Sequence, residues 1–494
     1  MELITEKPDW ERKVFDAHIT TQWRENIAQS GQDITPKMMD WIIKELQWKA
    51  GISAQTGFVE AFDGGVIKSD TAISKELQDA LKEAVIPLEN FPEEEKDYHP
   101  GSDGKVVDLV HPSLFPVIYG RTRVLPDRTI GIDDCLDSMG EGRLLPIPEA
   151  EASLQEGRYR TLPHPAALST KFQWLPCDVK ISEDGTCQIL SYINNAHPVK
   201  LRALYKVVEK ILAQIIPLWE HSLIWQRSDD ERITYTKVEY EDGGTTELEY
   251  PEEATVDDDV YEEWEERMTA WYKTRKIVKP EPGEFKPMEE REKPNFVKDF
   301  SEGKIQVIVK LANIELTPEK PEYKGGELNE RIAASAIYYY DIENITPSSL
   351  AFRRRGMSDM YGMEYEQGRH EFMQQVYGYH EGLYSNSDDL ITQELGGVVS
   401  KEGRLLTKML ALFLVDPHIR ITSSANVPPQ REDWRPATQN RVTEAQQGLD
   451  GDRAGLMTME EAKAYRVELM VERGLKSENH NAIFQLGNFC LCEH

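Results

Sequence analysis

Met409 to Val415 is the longest strongly apolar stretch of the chain, and it sets the first limit on the fold. It falls far short of the ~20 residues a membrane-spanning helix needs and has the length of a buried strand. Ile305, Val307, Val309 and Leu311 alternate at the period of a strand, and Ile332–Tyr340 continues the pattern. These three segments predict a β core. Tyr338, Tyr339 and Tyr340 alternate faces within it, so at least one ring is expected inside.

Helical signals flank that core. Thr35-Pro36 reads as an N-cap followed by proline at the first helical position, with Met39, Ile42, Ile43 and Leu46 on one face and Trp41 and Trp48 adding bulk. A long helix is predicted from about His197-Pro198 to Trp225, striped by Leu201, Tyr205, Val208, Leu212, Ile215 and Trp219. Thr458-Met-Glu-Glu461 is a capping box whose helix should pass Tyr465 and Leu469 and stop at Gly474. Asp103-Gly104 marks a turn before Val106–Val110, which together with Gly120–Leu125 reads as short strands and loops. Phe172–Leu175 and Cys187–Ile193 bracket Glu183-Asp184-Gly185-Thr186, a hairpin signal with an Asp-Gly turn.

Residues 227–300 change character. Asp229-Asp230-Glu231, Asp257-Asp258-Asp259 and Pro280, Pro282, Pro287 and Pro294 make a charged, proline-punctuated surface insert, with one helix near Val260–Lys273. The organisation that follows is a helical and mixed region over 1–170, a hairpin and long helix over 171–226, the acidic insert over 227–300, a β core over 301–434 and a helical tail over 435–494. No internal repeats are visible.

The 494 residues carry 57 basic and 87 acidic side chains, a net charge of −30. Such a chain repels phosphate backbones, so no nucleic-acid partner is expected. Cys135, Cys177, Cys187, Cys490 and Cys492 are odd in number and sparse, which argues against a disulfide framework. The start, Met1-Glu-Leu-Ile-Thr-Glu-Lys-Pro-Asp9, lacks a basic and then apolar leader. A cytoplasmic, reducing location without a membrane partner is the expectation.

Two blocks carry the most specific pattern. One is Tyr323-Lys-Gly-Gly-Glu-Leu-Asn-Glu-Arg-Ile-Ala-Ala-Ser-Ala-Ile-Tyr-Tyr-Tyr-Asp341; the other is Gly403-Arg-Leu-Leu-Thr-Lys-Met-Leu-Ala-Leu-Phe-Leu-Val-Asp-Pro417, running on to Ser424-Ala-Asn-Val-Pro-Pro-Gln430. With Phe58–Asp63, His99–Gly104, Val110–Leu114, Tyr119–Thr122, Lys171–Pro176, Ser191–Asn195 and Asp341–Thr346, they resemble a fungal family known as domain of unknown function 4246. That family's pattern is similar to non-haem iron, 2-oxoglutarate-dependent oxygenases. In it a His-x-Glu pair follows the Gly-Gly of the first block, and a second His with a basic segment separates Leu-Leu-Thr from Lys-Met-Leu. Here Gly326 runs straight into Glu327 and Thr407 into Lys408.

A two-His, one-carboxylate iron site needs His-x-Asp/Glu on one strand, because alternate strand residues share a face. None of His18, His99, His111, His164, His197, His221, His370, His380, His418, His480 and His494 is followed two residues later by Asp or Glu. Other arrangements are weaker. Glu366 and His370 share a helical face but lack a third ligand. His370-Glu371 and His380-Glu381 are adjacent, not alternate. Cys490-Leu-Cys492-Glu-His494 offers soft ligands at an unusual spacing. Arg353-Arg-Arg355 suits an anion, and equally suits neutralising nearby carboxylates. No phosphate loop, Gly-x-Gly-x-x-Gly or Gly-x-Ser-x-Gly is present.

The resemblance implies an α+β fold: an incomplete double-stranded β-helix, or jelly roll, flanked by N- and C-terminal helices. It implies Fe(II) and 2-oxoglutarate as cofactors, yet no catalytic residue and no metal ligand of the pattern has a matching position here. The expected function is that of a catalytically inactive family member acting as a binding or partner protein. It would form a homo-oligomer, pair with an active relative, or hold an unidentified small molecule. The alternative is an oxygenase that oxidises an unknown small molecule. Loss of catalytic strands, a mis-spliced product and a site placed elsewhere all account for the joins. Missing strands should leave an unpaired apolar edge and a less stable chain.

Overall fold

The alternation that begins at Ile305 becomes the axis of the sheet. A computed structural model describes residues 2–32, 34–62, 65–148, 169–224, 236–241, 258–287, 292–300, 303–316, 330–343, 364–365, 372–377, 405–435 and 455–485. The main sheet has strands β1 (Val106–Val110), β2 (Cys177–Ile181), β3 (Cys187–Ile189), β4 (Lys304–Leu316), β5 (Ile332–Glu343) and β6 (Leu405–Val415). Its order is β5-β6-β4-β2-β3, all antiparallel. β1 pairs with β4 over Leu311–Ile314, beyond the stretch taken by β2. The remaining β pairs among the described residues are two-stranded.

The helices used below are α1 (Ala17–Gln29), α2 (Pro36–Thr56), α3 (Lys75–Glu89), α4 (Arg202–Ser222), α5 (Asp258–Thr274) and α6 (Met459–Gln485). α3 and α4 cover one face of the sheet. Leu81, Val85, Leu204, Val208, Ile211 and Leu212 pack there against Val179, Ile305, Val307, Leu311, Leu410, Leu412 and Leu414. Each such side chain removed from water contributes about 1.5–3 kcal/mol, which makes this layer the main core. α1 and α2 gather Trp23, Met39, Ile43 and Leu46 into a smaller one with Trp10 and Val14. Tyr340 is fully buried, Tyr338 packs against the same core and Tyr339 is 41% exposed, so the tyrosine run alternates as expected.

Several local expectations shift. The Asp-Gly turn forms, with Gly185 at φ 81°, but it joins β2 to β3; Phe172–Gln173 pairs instead with Val117–Ile118. α4 begins at Arg202, because residues 197–201 form turns that precede it. α6 has its capping box, Thr458 Oγ1 accepting from Glu461 N at 3.2 Å and Glu461 Oε2 from Thr458 N at 2.9 Å. It does not stop at Gly474 but runs on to Gln485. Within residues 227–300, α5 buries Met268 and Tyr272, and Phe296 and Phe300 join the main core. The Arg275 guanidinium lies 3.6 Å from the Tyr240 ring centre there, a cation–π contact.

The Thr407–Lys408 join lies inside β6, with a neighbour on each side. Thr407 stands opposite Ile314 and Ile342, and Lys408 opposite Asn313 and Asp341. The unpaired apolar edge expected here is therefore not found at β6, because β5 occupies its outer side. β5 itself shows irregular pairing between Ile332 and Ala334 and between Tyr339 and Asp341. Gln78 of α3 also donates to the Tyr340 carbonyl at 2.7 Å. Irregular pairing and a covering side chain both make a strand edge a poorer template for another chain. The Gly326–Glu327 join lies outside the described residues.

Candidate functional site

The sheet face turned away from α4 carries a buried carboxylate with two histidines and an arginine around it. Asp108 stands on β1 opposite Ala312, on the side of the alternation that does not face the main core. Its side chain is fully buried. The Asp103-Gly104 turn brings the preceding segment back against β1: Asp103 and Gly104 both take positive φ, and His99 N donates to the Val106 carbonyl at 2.8 Å. Asp108 N donates in turn to the Asp97 carbonyl at 2.8 Å. This return places His99 beside Asp108, and His111, just past the end of β1, approaches the same carboxylate oxygen.

His99 Nδ1 lies 2.9 Å from Asp108 Oδ2, and His111 Nε2 lies 3.9 Å from the same oxygen. The two imidazole centres are 4.9 Å apart. Together His99, Asp108 and His111 offer ligand atoms all within 4.8 Å of one another. Two imidazoles and one carboxylate are the donor set of many non-haem iron sites.

The surroundings oppose a cation in this arrangement. Arg466 of α6 donates from one amino group to Asp108 Oδ2 at 3.2 Å. It also grips Asp97 with both amino groups, at 2.7 and 2.9 Å, a bidentate pair. His111 Nδ1 accepts from Ser113 N at 3.1 Å, which leaves the proton of the neutral ring on Nε2, the atom that faces Asp108. A metal-bound imidazole needs the opposite, with the remote nitrogen donating. Burial holds His111 well below the usual histidine range, and the positive charges of Lys310, Arg466 and Arg473 add to the effect. These residues as arranged do not fit Fe(II). The cluster is a buried carboxylate met by imidazole and guanidinium donors.

A second buried pair ties α6 to the same side. Arg473 bonds Glu330, just before β5, and its guanidinium lies 4.1 Å from the Trp174 ring centre. Glu330 also accepts from Trp174 N at 3.0 Å. Arg121 closes the row with a hydrogen bond to the Tyr465 hydroxyl at 2.9 Å. α6 is thus held by these charge-assisted bonds together with Ala462 and Leu469, which pack in an apolar cluster with Leu114, Phe115, Ile118 and Phe172.

The residues singled out from sequence meet the structure unevenly. Lys408 and Thr407 are placed in β6, and their surroundings are described above. Glu366, His370, Glu371, His380, Glu381, Arg353–Arg355, Gly326, Glu327 and the Cys490–His494 run lie outside the described residues. His99, Asp108 and His111 escaped a search built on His-x-Asp/Glu, because the grouping comes from a turn and a strand end rather than from one strand. The Asp103-Gly104 turn was the available signal, since it folds His99 back on Asp108.

No curated protein and no solved structure matches this chain. A family model described as "Protein of unknown function (DUF4246)" matches residues 36–408 and 407–438, and "Domain of unknown function DUF4246, N-terminal" matches residues 1–26. The longer match divides at 407–408, the same join the sequence marks. The matched residues make up most of the sequence, and the chain belongs to the DUF4246 family.

Proposed function

We propose that this chain is a non-catalytic member of the DUF4246 family that acts by binding, on an incomplete jelly roll related to those of Fe(II)- and 2-oxoglutarate-dependent oxygenases. The observation that carries the reading is the setting of Lys408. A strand cut where a catalytic segment belongs should end in an open edge. Here β6 runs through the join with both neighbours paired, and Lys408 makes specific ion pairs. The sequence also lacks any His-x-Asp/Glu pair. The oxygenase alternative would have to use ligands other than those of the family pattern, and Asp108 is already engaged by Arg466.

The binding surface we favour is the outer part of the same sheet face. Ile337 and Tyr339 of β5 are 45% and 41% exposed, and Ile342 is 53% exposed. Exposed apolar groups gathered on one strand mark association surfaces more often than solvated ones. A second copy of this chain, or an active relative of the same family, suits such a strip. No helix of the described residues is long and apolar enough to cross a membrane. The reading places the protein in the cytoplasm.

The test is turnover. The purified chain is supplied with Fe(II), ascorbate, 2-oxoglutarate and oxygen, and succinate is measured. No succinate above a metal-free control is expected. Chelator-sensitive succinate in proportion to the protein overturns the proposal. Sedimentation velocity then reads association, which Ile337→Glu and Tyr339→Glu should abolish.

A further inference from the structure

Arg466 of α6 reaches Asp108 within the same cluster as His99 and His111. Asp108 Oδ2 collects Arg466, His99 and, at longer range, His111. Its other oxygen, Oδ1, is buried without a hydrogen-bond partner among the described residues, and so is Nε of Arg466. An orphaned carboxylate oxygen of a fully buried side chain is costly, of order 1–3 kcal/mol. It shows that the guanidinium satisfies this carboxylate only in part.

We infer that His99, Asp108 and His111 form a latent site for a divalent first-row transition ion, and that Arg466 on α6 occupies it in the ion's place. The Arg466–Asp108 bond and ion binding then exclude each other. The donor chemistry is right for such an ion: two imidazoles and a carboxylate, with open positions left over. The distances ask for a small adjustment. Bonds of roughly 2.1 Å put ligand atoms about 3–3.5 Å apart, so donors now within 4.8 Å close up by an ångström or so. His111 must give up the Ser113 bond and His99 its Nδ1 bond to Asp108 before either turns that lone pair inward, at a cost of about 1 kcal/mol per hydrogen bond.

Charge decides which occupant wins. While Arg466 is in place, it and nearby Lys310 and Arg473 oppose a second cation. Once the guanidinium is gone, Asp108 keeps its two imidazoles and a buried, poorly compensated charge, and a divalent ion relieves it. The inference stands apart from the turnover test, since it concerns occupancy and not oxidation.

The experiment uses the full chain and Co(II), whose visible absorption reports coordination, with Zn(II) as competitor. Arg466→Met should tighten Co(II) binding over wild type by on the order of a hundredfold, the factor that follows from relieving one uncompensated buried charge. Adding Asp108→Asn or His111→Ala to it should abolish the absorption. The ion should also raise the melting temperature of Arg466→Met more than that of wild type. Arg466→Gln, which keeps a donor for Asp97, serves if Arg466→Met does not fold. Equal, weak Co(II) binding in wild type and folded variant overturns the inference, as does failure of both variants to fold with the ion present, because Arg466 would then be irreplaceable.

Discussion

Lys408 reaches Glu89 of α3 at 2.9 Å, and this one ion pair fixes the join to the helical layer. Its neighbours complete a row. Asp341 lies 3.7 Å from the same ammonium, Lys82 meets Asp341 at 2.5 Å, and Asn313 donates to Glu89 at 2.8 Å. Asn313, Lys408 and Asp341 come from three adjacent strands in register. A residue at the join thus carries cross-strand structure of its own.

Lys408→Met should therefore destabilise the chain. It leaves Glu89 and Asp341, which are 20% and 15% exposed, with one cation fewer between them. Part-buried pairs lie between the surface and the fully buried case, so the expected loss is about 1–2 kcal/mol. Urea unfolding measures it, and the double variant with Glu89→Gln should recover part of the loss. No loss in the single variant would mean that the join is not anchored by this row.

The β core was legible in the sequence because its signals are local. The alternation from Ile305, the run from Met409 and the Asp184-Gly185 turn each determine a strand or turn with few outside contacts. The order of the strands was not legible. That Lys304–Leu316 would take β2 and β1 in succession along one edge depends on pairings across more than a hundred residues. The same holds for Arg466 and Asp108, which lie far apart in sequence and meet only after α6 docks. Gly474 misled because a glycine ends a helix only where the chain must turn, and α6 has no turn to make there.

Stability should fall with acid in a way that His111 controls. Its folded value is depressed by burial, with Lys310, His99, Arg466 and Arg473 adding positive charge around it. Above about pH 6.5 the ring is neutral in both the folded and unfolded chain, and its contribution is fully present. As pH falls below that value the unfolded state binds the proton and the folded state does not. Stability then drops by up to ~1.4 kcal/mol per pH unit from this group until the folded ring protonates. His111→Asn, whose amide oxygen can still accept from Ser113 N, should flatten the slope between pH 6.5 and 5 in denaturation series. An unchanged slope would assign it to other groups.

The described cysteines should resist alkylation in the native protein. Burial pushes the Cys135 and Cys187 thiols up to about 12, and raises that of Cys177 as well. The thiolate is the reacting form, so iodoacetamide at pH 8 should label these three slowly when folded and rapidly in urea. Peptide mass spectrometry reads each site separately. Fast native labelling of Cys177, which lies in β2 against Val307, would show that the centre of the sheet opens readily.

The join itself gives the most direct test of whether the sheet is complete. A short Gly/Ser segment inserted between Thr407 and Lys408 lengthens the chain inside β6. Loop length alone costs little, since closure entropy grows slowly. What is lost is pairing. Leu405–Thr407 face Ile314–Leu316 on β4, and Leu406 and Thr407 also face Glu343 and Ile342 on β5. An insert detaches that end of the strand or forces a slip, and a slip of one residue turns each side chain to the wrong face. The melting temperature should therefore fall, by an amount corresponding to roughly 1–3 kcal/mol. The same segment placed between Asp184 and Gly185, at an exposed turn, should cost much less. A sheet that is waiting for its missing segment behaves in the opposite way: the insert at 407–408 would be tolerated as well as the one at the turn, or would raise the melting temperature. That outcome would remove the support that Lys408 lends to a settled, non-catalytic fold.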